Sequence, residues 1–234
     1  MKISILTMFP EMFGDFLNAP VIRRQIQKQN VTIEVFDIKS FAPGSFRRID
    51  DSPYGGGAGM ILRCQPVVDA LRAALNTEDT DKPEGKVRII ALDPAGKPFA
   101  QADARRYAAY DHLVLLCGHY EGMDARIYDY VDDIVSIGDY VLTGGELPAM
   151  VMCDAIIRLT EGALRTESTQ EESFENGLLE YPQYTRPAVF EGKAVPEVLL
   201  SGNHEAIRAW REQAALNRTK QMRPDLLKQE MRHK

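Results

Sequence analysis

The residues from Ser136 to Pro148 have the composition of a small-molecule pocket built largely from main chain. The segment contains three glycines that would let a ligand approach the backbone, Gly138, Gly144 and Gly145. Apolar and aromatic side chains that can wall a pocket stand between them, at Tyr140, Val141 and Leu142. Such a segment suits the binding of a nucleoside, and a tight turn with close packing is the alternative interpretation.

A second glycine-rich segment runs from Asp50 to Met60 and has four glycines in the five positions 55–59. Each glycine loses backbone entropy worth roughly 0.5–1 kcal/mol relative to alanine, so the run does not serve helix or strand stability. A Walker-type phosphate loop is excluded because no Gly-Lys-Ser/Thr follows, and the glycine spacing excludes a dinucleotide fingerprint. Two interpretations remain, the close approach of a ligand or chain and a flexible surface loop.

Three short apolar runs each end in a turn that contains glycine. Val87 to Leu92 is followed by Asp93-Pro-Ala-Gly96, Leu113 to Cys117 by Gly118-His-Tyr-Glu-Gly122, and Asp133 to Ile137 by the glycine-rich pocket segment. This pattern predicts an α/β domain with a largely parallel sheet. Ligands of such sheets bind beyond the carboxyl ends of the strands, so we expect the three turns to converge on one site.

Hydrophobic periodicity predicts the remaining elements of this domain. Strands are expected over Lys2 to Met8 and Val31 to Ile38. Helices are expected around three groups of apolar residues: Met12, Phe16 and Leu17; Val67, Leu71 and either Ala74 or Leu75; and Ala149, Met152, Ile156 and Leu159. Phe41 to Ala58 is expected to be a long loop, and Thr77 to Gly85 a polar connector.

The 234 residues, 44% of them hydrophobic, suffice for one large domain or for one with a small appendage. No run approaches the ~18 apolar residues of a membrane span and the start lacks a secretory signal, so we expect a cytoplasmic protein without a membrane partner. The three cysteines, Cys64, Cys117 and Cys153, are odd in number and far apart. They fit neither a disulfide framework nor a close-spaced zinc site, and we expect buried thiols.

Charge is distributed unevenly along the chain. The whole protein carries a net charge of −6, and the tail from His204 to Lys234 has eight Lys or Arg against four Asp or Glu. The tail is therefore at +4 and the rest of the chain at −10. A basic end suits contact with nucleic-acid phosphates, and a solvated helical face explains it equally well.

Four motifs, in this order, resemble those of the bacterial tRNA (guanine-N1)-methyltransferases (TrmD) of the SPOUT superfamily: Asp50–Gly57, Leu116–Gly122, Ser136–Pro148 and Tyr184–Pro187. The resemblance runs from Met1 to about Leu227. It implies an α/β domain whose C-terminal part forms a deep trefoil knot, an exception to the rule that chains avoid knots. It also implies an obligate homodimer, S-adenosylmethionine bound in the knot, and methyl transfer to N1 of guanosine 37, immediately 3′ of the tRNA anticodon.

The resemblance further implies that the three turns hold the methyl donor. The first turn would contribute Leu92 and Pro94, the second Gly118, Tyr120 and Glu121, and the third Ile137, Gly138, Tyr140, Leu142, Gly144, Gly145 and Pro148. The residue types agree, because adenine needs apolar walls and the positive sulfonium favours a nearby carboxylate such as Glu121. A packed aromatic ring at Tyr120 and a solvated or capping carboxylate at Glu121 are the structural alternatives.

Methylation of guanine at N1 requires a base, because N1 carries a proton, and a partner for O6, where negative charge develops. The resemblance assigns the partner of O6 to Arg158 and the base to Glu172, where the family usually has Asp. The extra methylene changes the reach by about 1 Å, enough to slow a reaction substantially. For Arg158, an i,i+4 pair with Asp154 is the structural alternative.

The end of the chain is expected to hold RNA. Glu161 to Glu180 has six acidic residues and one basic residue without a clear period, which predicts a mobile linker that becomes ordered with RNA. Beyond it, Tyr184 suits stacking and Arg186 suits a phosphate. Two helices are predicted, one capped by Asn203 and burying Ile207, Trp210 and Ala214, and one from Pro224 with Leu227 and Met231.

These observations predict a knotted α/β donor-binding domain over residues 1–160, a flexible acidic linker over 161–180 and a small all-α tRNA-binding domain over 181–234. Three further departures from the family lie near the glycine-rich segments: Asp93 for Ser, Ala95 for Gln and Ala58 for Pro. A Mg²⁺ requirement is left open by the sequence. Two other hypotheses compete, a non-catalytic tRNA-binding homologue with an impaired base and a nucleotide-binding enzyme unrelated to RNA.

Overall fold

The computed structural model describes residues 1–77, 85–164 and 172–230. The chain divides into two compact units, Met1–Ala163 and Leu164–Lys234. Most of the predicted polar connector, residues 78–84, lies outside the described residues, as do 165–171 of the predicted acidic linker. Within the described ranges, no helix is both long enough and apolar enough to cross a membrane.

Five parallel strands form the central sheet of the N-terminal unit. The strands of this unit are β1 (Lys2–Thr7), β2 (Thr32–Asp37), β3 (Asp50–Asp51), β4 (Ile61–Leu62), β5 (Val87–Pro98), β6 (His112–Cys117) and β7 (Asp133–Ser136). The sheet has the order β2-β1-β6-β5-β7, and β3 pairs with β4 in a separate antiparallel ribbon. The predicted α/β class with a parallel sheet is confirmed.

The helices of the N-terminal unit are α1 (Gly14–Leu17), α2 (Pro20–Gln27), α3 (Cys64–Leu75), α4 (Gln101–Ala108) and α5 (Glu146–Ile157). Short 3₁₀ helices cover Pro10–Phe13, Ile38–Phe41 and Ala125–Tyr130. The helix expected around Met12 and Phe16 is thus a 3₁₀ turn followed by one α-helical turn. Helix α5 begins two residues before Pro148, which lies in its first turn.

Alternating residues along the strands divide the core between the two faces of the sheet. In β6, Leu113 and Leu115 belong to the buried cluster that α2, α4 and α5 cover, and Val114 and Leu116 belong to the cluster that α3 covers. Because both of its faces are buried, the central strand β6 has a continuous apolar sequence, whereas the edge strand β2 alternates. This arrangement leaves the carboxyl ends of the strands free to carry a site.

Strand β5 is interrupted where the first turn was predicted. It pairs with β7 through Leu92, leaves the register, and pairs again at Lys97 and Pro98. The four intervening residues, 93–96, bulge out of the ladder. Gly96 makes the return possible, because a Cβ there would lie 2.4 Å from the backbone nitrogen of Val135.

The cysteines differ in their environment. Cys117 and Cys153 are buried, as expected. Burial raises the pKa of the Cys153 thiol to about 12, and burial likewise raises the pKa of Cys117 well above its usual value. Cys64, at the first position of α3, is only half-buried, so the expectation of a buried thiol is wrong there.

The C-terminal unit contains helices α6 (Glu197–Leu200), α7 (His204–Met222) and α8 (Pro224–Glu230) and strands β8 (Val189–Phe190) and β9 (Lys193–Ala194). The expectation of an all-α unit is therefore wrong. Glu191 and Gly192 join the strands with φ of +47° and +78°, the signs that a type I′ hairpin turn requires.

The predicted start of α7 is confirmed, since the side chain of Asn203 accepts a hydrogen bond of 3.1 Å from the backbone N–H of Ala206. Its apolar side chains are half-buried rather than buried, at Ile207, Trp210 and Ala214. Met231 of the predicted last helix lies outside the described residues.

Helix α7 also holds the segment that precedes β8. The backbone N–H of Leu179 donates to Oγ1 of the buried Thr219 at 2.9 Å, and Arg218 donates to the carbonyl of Glu180 at 3.0 Å. The guanidinium of Arg211 lies 4.8 Å above the ring of Tyr181. The last residues of the predicted acidic linker thus lie along α7 in this unit.

Candidate functional site

A cavity of about 360 Å³ opens at the bulge of β5 and at the carboxyl ends of β6 and β7. All the residues that the resemblance assigned to the donor line it: Leu92, Pro94, Gly118, Tyr120, Glu121, Ile137, Gly138, Tyr140, Leu142, Gly144, Gly145 and Pro148. The prediction that the three turns converge on one site is therefore confirmed.

The third turn lies directly against the second. The backbone N–H of Gly145 donates to the carbonyl of Gly118 at 2.8 Å, and a Cβ on Gly145 would lie 2.7 Å from the Cα of Cys117. A side chain at this position would collide with backbone, which cannot move aside as a flexible side chain can. Gly145 thus brings the two turns together, as close packing requires.

A buried carboxylate lies beneath this contact. Glu146 is 2% exposed at the first position of α5, and its Oε1 accepts a hydrogen bond of 2.7 Å from the hydroxyl of Thr7. Oγ1 of Thr7 in turn accepts from the backbone N–H of Phe9 at 2.9 Å. The end of β1 is thereby tied to the start of α5.

The second turn contains a strained residue. Tyr120 has φ of +61°, a left-handed conformation that costs a non-glycine residue about 1–2 kcal/mol, and its side chain is 43% exposed. His119 packs between two rings, 5.1 Å from Phe9 and 5.2 Å from Tyr120 between centroids. Strain of this kind concentrates at functional sites, where the surrounding structure holds it in place.

The segment Asp50–Met60 contacts the second turn. The backbone N–H of Glu121 donates to the carbonyl of Met60 at 3.0 Å, and a Cβ on Gly59 would lie 2.2 Å from Cγ of Glu121. A Cβ on Gly55 or Gly56 would meet nothing within 4 Å. The close approach of another chain segment therefore explains Gly59, whereas Gly55 and Gly56 lie in open loop.

The first turn carries Asp93, a cavity residue outside the predicted set. Its Oδ1 accepts from the backbone N–H of Ala95 at 2.8 Å, and its Oδ2 accepts from the hydroxyl of Tyr128 at 2.5 Å. Burial and this hydrogen bond raise the pKa of Tyr128, so its phenol stays protonated at neutral pH. Glu121 is the second carboxylate of the cavity, and among the described residues that line it there is no Lys or Arg.

Val141, expected as an apolar wall, also lines the cavity. Sequence reasoning did not assign further lining residues to the site, among them His119, Ser136 and Thr143. All belong to the same two motifs as the assigned residues, so their place in those motifs was the available signal. Ser136 shapes the third turn, because its hydroxyl donates to the carbonyl of Gly138 at 3.0 Å.

The residues assigned to catalysis and RNA binding do not line this cavity. Arg158 is half-buried at the C-terminal end of α5, where its backbone N–H donates to the carbonyl of Asp154 at 3.2 Å. Glu172 belongs to the C-terminal unit, as do Tyr184 and Arg186. Tyr184 is 49% exposed, with its ring 6.3 Å from that of Trp210, and Arg186 is exposed.

The cavity has the size of a small-molecule site, which spans about 300–1,000 Å³. Its position beyond the carboxyl ends of parallel strands is where α/β proteins bind nucleotide-like ligands. Apolar walls at Leu92, Ile137 and Leu142, with glycine backbone between them, fit the adenosine part of S-adenosylmethionine. Fold and site together define an α/β protein with a cavity of small-molecule size at the carboxyl edge of its parallel sheet.

Comparison with known proteins identifies the family. Residues 1–229 match the family model of the tRNA (guanine-1)-methyltransferase TrmD. The chain is 50% identical over 230 residues to a tRNA (guanine-N(1)-)-methyltransferase of Listeria innocua, covering 97% of this chain and 92% of the relative. It is 50% identical over 229 residues to one of Clostridium botulinum, with the same coverage of each chain. The chain belongs to the TrmD family of tRNA (guanine-N1)-methyltransferases.

Proposed function

We propose that this protein transfers a methyl group from S-adenosylmethionine to N1 of guanosine 37 in tRNA. The observation that carries the proposal is that the three turns converge on one cavity, in a chain of this family. The sulfonium of the donor supplies an electrophilic methyl group. The protein supplies the pocket, the orientation of the two substrates and the removal of the N1 proton.

The donor would be held by the three turns. The apolar side chains of Leu92, Ile137 and Leu142 would enclose the adenine, and the backbone at Gly144 and Gly145 would lie close enough to read its polar edge. The carboxylate of Glu121, at the mouth of the cavity, would attract the positively charged sulfonium.

The chemistry at guanine would fall to two residues outside the cavity. Glu172 would accept the proton of N1, and the guanidinium of Arg158 would donate hydrogen bonds to O6 as negative charge develops there. A guanidinium suits the second role because it is a fixed positive charge with several N–H donors. Family membership supports both assignments, and Glu in place of Asp is the departure in this chain.

The C-terminal unit would hold the anticodon stem-loop. Tyr184 and Arg186 are exposed there, so a base can stack on the ring and a phosphate can pair with the guanidinium. The +4 charge of the last residues favours the approach of RNA. Because tRNA is a cytoplasmic substrate, we place the protein in the cytoplasm.

We also propose a homodimer and, on family membership, a trefoil knot in the C-terminal part of the α/β unit. The dimer is supported by large apolar side chains on the surface next to the cavity, Val141, Leu147 and Val151, which are 83%, 51% and 47% exposed. Leu147 and Val151 lie one turn apart on α5, so they share a helix face that a second copy would cover.

Methyl transfer to tRNA transcripts with and without a guanosine at position 37 tests the function. We expect labelled methyl only in the transcript that has the guanosine, and parallel reactions with EDTA show whether Mg²⁺ is required. Binding of tRNA without any methyl transfer would support the non-catalytic homologue instead. A rise in melting temperature with ATP or NAD, but not with S-adenosylmethionine, would support an enzyme unrelated to RNA.

Hybrid dimers test whether two subunits share a site. A subunit with Gly144→Val lacks the donor pocket, and one with Arg186→Ala lacks the RNA contact. If the C-terminal unit of one subunit serves the cavity of its partner, a mixture that exchanges subunits regains part of the activity. A mixture that exchanges subunits and stays inactive rules out shared sites.

A further inference from the structure

Asp93 carries a negative charge on the wall of the donor cavity, beside Leu92 and Pro94. Two hydrogen bonds hold the carboxylate, one from the backbone N–H of Ala95 at 2.8 Å and one from the hydroxyl of Tyr128 at 2.5 Å. Each bond engages a different oxygen, so the carboxylate cannot rotate without losing one of them. The carboxylate is thus held in one orientation, on a residue that lines the cavity.

Tyr128 fixes the carboxylate without neutralising it. The phenol belongs to the 3₁₀ helix Ala125–Tyr130, and it is half-buried against the core on the α3 side of the sheet. Its raised pKa means that it stays a neutral hydrogen-bond donor. The charge of Asp93 therefore remains available to the cavity, and no Lys or Arg stands among the described residues that line the wall.

The two states of the methyl donor differ in charge at one atom. S-adenosylmethionine has a positively charged sulfonium, and transfer of its methyl group leaves S-adenosylhomocysteine with a neutral thioether sulfur. Adenine, ribose and the amino-acid part are identical in both. The free energies of contacts to those shared parts cancel in the ratio of the two affinities. Electrostatic attraction between the protein and the sulfonium does not cancel, because only the donor has that charge.

We propose that Asp93 is a specificity-determining residue through which the cavity prefers the charged methyl donor to the neutral product. This inference rests on the proposed function, because it takes the cavity to be the donor site. The negative potential of Asp93 stabilises the bound sulfonium, more strongly in a partly enclosed cavity than in water. Once the methyl group has left, that attraction is gone, and fresh donor displaces the product more readily.

Calorimetric titration of the full-length protein with S-adenosylmethionine and with S-adenosylhomocysteine tests the proposal. Asp93→Asn removes the charge and keeps an acceptor for one of the two donors, the hydroxyl of Tyr128 or the backbone N–H of Ala95. We expect it to weaken binding of the donor about 3–10-fold and to change binding of the product less than about 2-fold. Raising the salt concentration should reduce the preference for the donor more in the unsubstituted protein than in Asp93→Asn, because salt screens the charge of Asp93.

Tyr128→Phe is the matched control. It removes the hydroxyl that holds the carboxylate of Asp93 and keeps the negative charge of that carboxylate. If these substitutions act only by displacing the turn, the affinities for donor and product should change together. An unchanged ratio in both Asp93→Asn and Asp93→Ser, or an equal change of the ratio in Tyr128→Phe, would overturn the inference. If neither ligand binds the unsubstituted protein, the proposed function and the inference both fail. If both ligands bind and the substitutions contradict the role of Asp93, only the inference fails.

Discussion

The hydroxyl of Thr7 donates a 2.7 Å hydrogen bond to the carboxylate of Glu146, and both side chains are almost completely buried. A buried polar group that loses its partner costs about 1–3 kcal/mol, and a charged group costs more. We therefore expect Thr7→Val to lower the free energy of unfolding by about 1–3 kcal/mol or more, as measured by urea denaturation.

Thr7→Ser keeps the hydroxyl and removes only a methyl group, so it is the control for lost packing. We expect it to lose about 1 kcal/mol or less, in line with one buried methyl. Equal losses for the valine and serine variants would show that the hydrogen bond to Glu146 contributes little.

Because Gly145 lies against the backbone of Cys117, we expect Gly145→Ala to weaken binding of the methyl donor. The new Cβ of Gly145→Ala would lie 2.7 Å from a backbone atom, so the second and third turns must separate. We expect affinity for S-adenosylmethionine to fall at least about 10-fold, since misplacement of about 1 Å has effects of this size or larger. Calorimetric titration with S-adenosylmethionine measures this affinity.

Gly14→Ala is the matched control, because its Cβ would meet nothing within 4 Å and its φ is −55°. It should bind the donor as the unsubstituted protein does. Full affinity in Gly145→Ala would mean that the contact between the turns does not shape the donor site.

Glu172 is the position at which this chain departs from its family at the proposed chemistry. If its carboxylate removes the N1 proton, Glu172→Gln should slow methyl transfer by roughly 10²–10⁴-fold, with donor and tRNA affinity little changed. Single-turnover kinetics separates these effects. Glu172→Asp restores the residue usual in the family and should retain substantial activity.

Two neighbouring carboxylates serve as controls for Glu172. Glu171 lies outside the described residues, and Glu175 is half-buried, with its backbone N–H donating to the carbonyl of Glu172 at 3.2 Å. Changing either to Gln should alter activity within about threefold. An inactive Glu171→Gln beside an active Glu172→Gln would move the base by one residue, and full activity of both would exclude this mechanism.

The buried imidazole of His112 predicts a dependence of stability on pH. Burial, and to a lesser extent Lys2, lowers the pKa of His112 to about 4, against about 6.5 in an unfolded chain. Between these values the unfolded state binds more protons, so stability rises with pH across this window. The contribution is complete above about pH 6.5 and is lost as the pH falls toward 4.

The size of this effect is on the order of 2–3 kcal/mol. Thermal unfolding between pH 4 and 7 measures it, and His112→Gln should show a smaller fall in Tm with acid because it lacks the titrating group. Ser4, whose hydroxyl lies 2.9 Å from Nε2 of His112, can remain hydrogen-bonded to Gln. The same slope in both proteins would assign the pH dependence to other groups.

The strands and turns of the sheet were predictable because the sequence patterns that indicate them are local. A strand buried on both faces is an uninterrupted apolar run, as in Leu113–Cys117, and each such run ended where a glycine-containing turn began. Helices α2 and α4 were missed because each has only eight residues, too few for a clear helical period. Packing against the sheet, which their local sequence does not contain, stabilises them.

Contacts between distant parts of the chain were not predictable. Thr7 and Glu146 are 139 residues apart, and no local pattern links them. Asp93 was noted as a departure from its family, but its partner Tyr128 lies 35 residues later and became apparent only in the fold. Arg158 and Glu172 were assigned by resemblance, and their roles stay predictions.

The separation of Thr7 from Glu146 also has a consequence for biosynthesis. A ribosome adds about 5–20 residues per second, so roughly 7–30 s pass between the emergence of the two residues. During that time the hydroxyl of Thr7 lacks Glu146 as its acceptor, and the cavity lacks its third turn. Capture of the methyl donor by a nascent chain therefore reports that translation has passed α5, and shorter fragments should not be retained on an immobilised donor analogue.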